Sequence, residues 1–302
     1  MDTETGKLKK NDVKNRIGKD PEANAYIYKN KFKTHLLNFV VLVIALIQLF
    51  PLVWLLFFSL KDNSEIFGEN IVGLPRHFLW QNYADAFSQG NVGRYLLNSI
   101  LVTGLTIIFS DILAVCASYA IARMRWKLRR ATMVLFLMGI MVPLHAALLP
   151  LFLVLKSLKL YNTIWALIVP YTAFTLSMGI FIFVGFMQSL PKELEESALI
   201  DGCTIYRAFF SIILPLVKPA IATVSIFTYL SAWNELMFAI QFVSKPELKT
   251  LTVGIMAMVG QYSTKWGPIG AGLVIATIPT LVIYILMSNQ VQKSFITGAV
   301  KG

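Results

Sequence analysis

Six stretches of this sequence are apolar for long enough to cross a lipid bilayer. A transmembrane helix needs about 20 mainly apolar residues. Windows of that length occupy residues 36–60, 95–122, 131–155, 163–187, 220–243 and 268–288. Of all 302 residues, 56% are hydrophobic and only 14% are charged, which is too little charged surface for a soluble domain of this size. We therefore predict an all-α membrane protein with six transmembrane helices.

The six windows leave no room for a second folded domain. We predict a polar tail over residues 1–34, a membrane domain over 35–288 that includes a polar loop at 189–218, and a short tail over 289–302. The first tail lacks the apolar core and the cleavage site of a signal peptide. Pro51 is expected to kink the first span, because proline removes a helical hydrogen bond.

The distribution of charge predicts the topology. Most of the 27 Lys and Arg residues fall in segments 1–35, 123–130, 189–218 and 289–302, which would share one side of the membrane. The positive-inside rule assigns that side, and with it both termini, to the cytoplasm. The net charge of +11 is then explained by topology and anionic lipid headgroups, so no nucleic-acid partner is expected.

A polar interruption separates the fourth and fifth windows. Glu195, Glu196 and Asp201 cluster there, and Gly202 follows directly. We predict a short helix, a turn in which Gly202 takes a positive φ, and a second helix that Asp201 caps.

That interruption resembles the cytoplasmic EAA loop of ABC importer permeases. The family pattern is Glu-Ala-Ala, three residues ending in Asp, then Gly, nine residues and Ile-x-Leu-Pro. Here Glu196-Ser197-Ala198 opens the pattern and Ile212-Ile213-Leu214-Pro215 closes it, with the spacing intact. The one departure is Ser197, where the family usually has alanine, and serine is small enough to keep close packing.

Other landmarks resemble the carbohydrate-uptake, maltose-type branch of these permeases. They are Asn98-Ser99, Tyr119-Ala120-Ile121-Ala122-Arg123, Leu160-Tyr161-Asn162-Thr163, Trp233-Asn234-Glu235 and Gly298-Ala299-Val300-Lys301-Gly302. The resemblance implies a type I importer permease fold and a multi-pass subunit in the bacterial inner membrane. It also implies import of a sugar or oligosaccharide, although a permease for an amino acid or a metal stays open.

The same resemblance implies partners and a division of labour. An ABC ATPase dimer would grip the loop, a second homologous permease would complete the pathway, and an extracellular solute-binding protein would deliver the sugar. The residues expected to couple this chain to the ATPase are Glu195, Glu196, Ser197, Ala198, Asp201, Gly202, Ile212, Leu214 and Pro215. No G-x-x-x-x-G-K-[ST] motif occurs, so ATP and Mg²⁺ are expected on the ATPase, with no cofactor on this chain and no enzyme activity of its own.

Polar residues within the apolar windows are unusual, because placing a charge at the depth of the bilayer costs at least about 2.5 kcal/mol of free energy. We predict that Asp111, Trp233, Asn234 and Glu235 line the solute path, since rings stack on sugars while amides and carboxylates bind their hydroxyls. Three alternatives stay open. Asp111 could pair with a neighbouring helix, His145 could fill a kink and bond a freed carbonyl, and Glu235 could clamp two helices.

An apolar run at 250–262 is too short to cross the membrane. In maltose-type transporters a loop here reaches toward the docked binding protein, and by that resemblance our candidates are Gly254, Gly260 and Tyr262. The alternative is a re-entrant element that packs within the chain.

The remaining residue types predict little chemistry. The three histidines fall in different segments and the two cysteines are far apart, so neither a metal site nor a disulfide is expected. A secondary transporter that works without an ATPase remains an alternative. An intramembrane enzyme is disfavoured, because no nucleophile or metal constellation is present in the sequence.

Overall fold

A computed structural model describes residues 21–68, 70–260 and 264–299, with side chains from residue 33 to residue 287 within those ranges. All regular structure in this part of the chain is helical. The helices are α1 (Pro21–Ser59), α2 (Asn63–Phe67), α3 (Gln81–Ser88), α4 (Val92–Ala122), α5 (Arg129–Met141), α6 (Leu148–Ser157), α7 (Trp165–Ser189), α8 (Glu193–Ile200), α9 (Ile205–Ala208), α10 (Leu214–Leu216), α11 (Lys218–Trp233), α12 (Met237–Phe242), α13 (Leu251–Ala257) and α14 (Trp266–Ala299).

The chain divides into two units, Met1–Phe57 and Phe58–Gly302. The first unit holds most of α1, which begins at Pro21 and continues through Pro51 without a break. Residues 21–34 of the predicted polar tail are therefore helical, whereas residues 1–20 lie outside the described residues.

Four helical stretches are long and apolar enough to cross a membrane, namely Lys33–Ser59, Val92–Ala122, Trp165–Ser189 and Trp266–Met287. Two helix pairs pass the same test only as bent spans, Arg129–Met141 with Leu144–Ser157 at 95° and Ile205–Leu216 with Lys218–Trp233 at 71°. The helical class is confirmed. Each bent pair, counted as one span, brings the number of spans to six. Windows 131–155 and 220–243 are not single continuous helices, because helices end within them at Met141 and Trp233.

Proline explains the break in window 131–155. α5 ends at Met141, and Val142 is extended, with ψ of 119°, as the residue before a proline prefers. A single 3₁₀ turn, Leu144–Ala147, then leads into α6. His145 lies in that turn with its ring edge-on to Phe238, at a centroid distance of 6.3 Å. The expected kink is present, and within the described residues the imidazole bonds no carbonyl.

The centre of the second unit is formed where three helices meet at small side chains. α4 packs along α7, and α11 packs against α4, α7 and α14. A Cβ added at Gly179 would lie 3.0 Å from the Ala114 Cβ and 3.2 Å from a Val224 methyl. Small residues at helix contacts allow this close approach, which drives helix association where lipid removes the usual hydrophobic force.

Candidate functional site

The segment between α7 and α11 forms a helix–turn–helix. α8 ends in a Schellman motif, in which the Cys203 amide donates to the Ala198 carbonyl (2.9 Å) and the Gly202 amide donates to the Leu199 carbonyl (3.1 Å). Gly202 has a φ of +76°, so the predicted glycine turn is confirmed. Asp201 does not cap the next helix. Thr204 does so instead, with its hydroxyl accepting from the Arg207 amide at 3.3 Å.

A π-helical turn explains how the second helix of this loop tolerates its proline. Phe209–Ile213 forms the turn, and the Leu214 amide donates to the Phe209 carbonyl five residues earlier. Pro215 follows with no amide to donate, and the helix ends at Leu216. The chain then restarts at Lys218, with a proline in the first turn of α11.

Arg123 fixes this loop to the end of α4. Its Nε donates to Glu195 Oε2 at 2.5 Å. Its terminal nitrogens donate to the carbonyls of Met187 (3.2 Å), Leu190 (3.0 Å) and Pro191 (2.9 Å). The Arg123 side chain is only 3% exposed and that of Glu195 is 14% exposed. The guanidinium thus ties the end of α7 and the start of α8 to α4.

This clamp divides the predicted coupling residues into two groups. Glu195 is engaged inside the chain, and Ala198 is buried at the base of α8. Glu196, Ser197, Asp201, Gly202 and Pro215 are exposed, whereas Ile212 and Leu214 are half-buried. From the sequence alone, Arg123 is only a landmark residue and one charge of a basic cluster that indicates topology. The signal that could have identified it is its position as the last residue of Tyr-Ala-x-Ala-Arg.

The residues predicted for the solute path occupy different environments. Asp111 accepts a hydrogen bond from Ser225 on α11 at 2.5 Å, which is the helix pairing considered as its alternative. Trp233 is buried and donates its ring N–H to the Ala276 carbonyl at 3.2 Å. Asn234 is exposed and donates to the Leu230 carbonyl at 2.9 Å.

Glu235 explains the break in window 220–243. Its carboxylate accepts from the Tyr171 hydroxyl at 2.7 Å, and from the amides of Phe238 (2.9 Å) and Ala239 (3.2 Å), which open α12. Glu235 is 8% exposed. This arrangement matches the clamp between helices that was the alternative role for Glu235, and a contact with solute stays a prediction.

The segment between α12 and α14 holds the residues predicted to face a binding protein. Gly254 is buried in α13, and an added Cβ would overlap the ring of Tyr95, which fits the alternative of a packing element. Gly260 is exposed, with its amide 3.2 Å from the Thr264 hydroxyl. Tyr262 lies outside the described residues.

A cavity of about 270 Å³ opens between α5, α7 and α11, and its lining residues were not predicted from the sequence. Phe174 and Phe227 supply rings to its wall, while Thr175, Thr228 and Ser231 supply hydroxyls. These residues lie within apolar windows, where no charge marks them. Only the packing of three helices brings them together.

The chain matches a family of known proteins over residues 114–296, described as the binding-protein-dependent transport system inner membrane component. It is 35% identical to the sulfoquinovosyl glycerol transport system permease protein SmoH of Agrobacterium fabrum, over 88% of this chain and 94% of the relative. It is 31% identical to the trehalose/maltose transport system permease protein MalG of Thermococcus litoralis, over 86% of this chain and 94% of the relative.

Solved structures agree on the fold. A chain of a bacterial ABC transporter involved in the import of the acidic polysaccharide alginate is similar, with a TM-score of 0.76 and 19% identity. The match covers 86% of this chain and 97% of that one. A second structure contains the alginate transporter with a pentasaccharide-bound periplasmic protein, and its TM-score is 0.62 at 16% identity. The chain therefore belongs to the family of binding-protein-dependent inner membrane components, and it is a multi-pass transport subunit rather than an enzyme.

Proposed function

We propose that this chain is one of two permeases in an ATP-driven importer of a sugar or oligosaccharide, and that an ATPase dimer drives it through the loop at 189–218. The observation that carries this proposal is the geometry of that loop. α8 is held at its base by Arg123 and Glu195, while the Glu196 side chain is exposed and forms no hydrogen bond or ion pair with the described residues. Ile200 and Tyr206 are 86% and 75% exposed, which gives the loop an apolar surface for a partner.

The mechanism follows from rigid attachment. When the ATPase dimer closes on ATP, it would drag α8, and the clamp at Arg123 would pass that displacement to α4 and α7. Rocking of packed helices around a central site is the usual route to alternating access. Because the chain has one such loop and the dimer offers two equivalent clefts, a second permease is required.

Sugar as the solute is supported by the similarity of this chain to permeases for sulfoquinovosyl glycerol and for trehalose/maltose, and by the cavity between α5, α7 and α11. Rings and hydroxyls side by side suit a pyranose, which has apolar faces and hydrogen-bonding edges. We expect Ser231→Trp, which fills this cavity from its exposed side, to abolish uptake while leaving ATP hydrolysis by the complex intact.

The coupling test compares two motif variants with a control in the reconstituted complex. Glu196→Lys reverses the exposed charge, and Gly202→Val forces a branched side chain into a positive φ. Both should reduce ATP hydrolysis stimulated by the binding protein at least about tenfold, a loss of about 1.4 kcal/mol of coupling. Lys127→Glu, an exposed charge reversal outside the loop, should leave it unchanged. Normal stimulation and uptake in both motif variants would remove this loop from the mechanism.

The cytoplasmic placement of the loop is a separate part of the proposal, supported by the density of basic residues in the segments on that side. Ser197 is exposed, so a single Ser197→Cys in a chain without Cys116 and Cys203 reports the side directly. A membrane-impermeant maleimide should label it in inverted vesicles and leave it unlabelled in right-side-out vesicles. The opposite pattern would refute this orientation.

A further inference from the structure

A second cavity, of about 290 Å³, lies at the end of the bundle that carries the coupling loop. It is bounded by the last turns of α4 and α7 and by the first two turns of α5. Arg129 and Arg130, at the start of α5, line it together with Gln188 from the last turn of α7. The cavity is therefore separate from the one assigned to the solute path.

Its mouth carries positive charge that is not paired with any described carboxylate. Among the described residues, no carboxylate lies within 4 Å of the guanidinium of Arg129 or Arg130. Both arginines belong to the first turn of a 13-residue helix whose N-terminus has no side-chain cap. The amides and the dipole of that terminus add to the positive potential, and an anion is the natural complement.

Below the mouth, the walls become apolar. Met133 lies one turn further along α5, while Val184 and Phe181 lie about 8 Å and 12 Å from the end of α7, at ~1.5 Å per residue. Val184 is buried, whereas Phe181 is half exposed. The polarity thus changes with depth from cationic to apolar, as it does across one leaflet of a bilayer.

Gly185 leaves this space open. It faces the cavity, and a Cβ added there would have no atom within 4 Å. A larger side chain at this position would therefore enter the cavity without displacing the backbone of a neighbouring helix.

We propose that this cavity binds one anionic phospholipid, with its headgroup phosphate on Arg129 and Arg130 and one acyl chain along Met133, Val184 and Phe181. Arginine suits phosphate because its planar group offers paired donors. Basic cavities between membrane helices on the cytoplasmic side are typical sites for such headgroups. This proposal depends on the proposed function in one respect only, which is the side of the membrane on which the cavity lies.

The experiment is native mass spectrometry of the full-length chain, purified with its co-purifying subunits and titrated with phosphatidylglycerol. Arg129→Gln with Arg130→Gln should weaken lipid retention about tenfold or more, given about 1 kcal/mol per basic residue near an anionic headgroup. The matched control, Arg125→Gln with Lys127→Gln, removes the same charge from exposed positions of the same segment that do not line the cavity. It should change retention by less than about threefold.

A second variant tests the apolar half without changing charge. Gly185→Leu should also weaken retention about tenfold, because the added side chain occupies the volume of several buried methylenes. Inorganic phosphate and glycerophosphoglycerol, which lack acyl chains, should not displace the lipid at millimolar concentration. Displacement by either, with normal retention in Gly185→Leu, would overturn the lipid assignment in favour of a simple anion site.

Two further results would also overturn the proposal. Equal losses in the two double variants would mean that diffuse attraction, rather than this cavity, holds the lipid. Photocrosslinking from benzoylphenylalanine at Met133 to another polypeptide instead of to lipid would mean that a subunit covers the cavity. Lipid retention is read independently of ATP hydrolysis, so failure here is distinguishable from failure of the proposed coupling.

Discussion

Replacing Arg123 by leucine removes a guanidinium that holds the start of the loop at 189–218 to the end of α4. The substitution deletes an ion pair with Glu195 and three hydrogen bonds to backbone carbonyls at the end of α7. Leucine keeps much of the apolar volume, so the expected loss comes mainly from these polar contacts. Because the same group positions α8, the loop should lose its fixed attachment as well as its stability.

The stability cost of Arg123→Leu depends on how deeply Arg123 and its partners are buried. Removing one partner of a buried ion pair costs about 3–5 kcal/mol, and the lower end applies here because Glu195 keeps 14% exposure. The carbonyls of Met187, Leu190 and Pro191 also lose a charged hydrogen-bond donor. Each loss should cost about 1 kcal/mol or less of stability, because the bond to Pro191 is exposed to solvent. Arg123→Leu should therefore cost about 5 kcal/mol. Glu195→Leu should cost only about 2–3 kcal/mol, because Arg123 keeps its three carbonyls.

The assay is a double-mutant cycle on reversible unfolding in mixed micelles of mild detergent and dodecyl sulfate. The double variant should be less destabilised than the sum of the single variants by about 2 kcal/mol. If Arg123 positions the loop, Arg123→Leu should also raise the ratio of ATP hydrolysis without binding protein to solute uptake. A loss of stability alone would not change this ratio. Zero coupling energy, or equal costs for the two single variants, would refute the clamp.

Three other substitutions test separate contacts. The main cause that holds the pKa of Glu65 below its usual range is a hydrogen bond from the Arg76 amide. The unfolded chain therefore binds a proton at this carboxylate more readily than the folded chain does. As a result, the free energy of unfolding falls as the pH drops through the lowered pKa. Glu65→Gln should flatten this acid dependence, measured by unfolding between pH 3 and 6, a range around the usual carboxyl pKa of about 4.3. Glu235→Leu should cost about 3 kcal/mol, because a tyrosine hydroxyl and two amides lose their acceptor, whereas a cost under about 1 kcal/mol would contradict the clamp. Gly254→Ala should cost about 1–3 kcal/mol through overlap with Tyr95, and adding Tyr95→Leu should restore most of it in a thermal unfolding series.

The sequence by itself determined the class, the family and the position of the polar loop at 189–218. Each rests on a local property: the length of an apolar run sets a membrane span, and the spacing from Glu196 to Pro215 sets the motif. The positive φ of Gly202 is equally local, because only the backbone at the end of α8 is involved. Helix breaks were harder to predict. Pro143 marks one of them, whereas the break after Trp233 has no proline beside it.

Only the tertiary structure decided which polar residues remain available to a partner. Glu195 and Glu196 are neighbours in sequence, yet Glu195 is held by an arginine 72 residues away, whereas Glu196 remains exposed. Glu235 is likewise committed to a tyrosine 64 residues away. Asn98, a landmark of the family, donates to the carbonyls of Glu247 and Lys249 in the segment before α13. In a membrane bundle an unpaired polar group is costly, so distant residues determine which side chains hold the chain's own backbone and which remain for function.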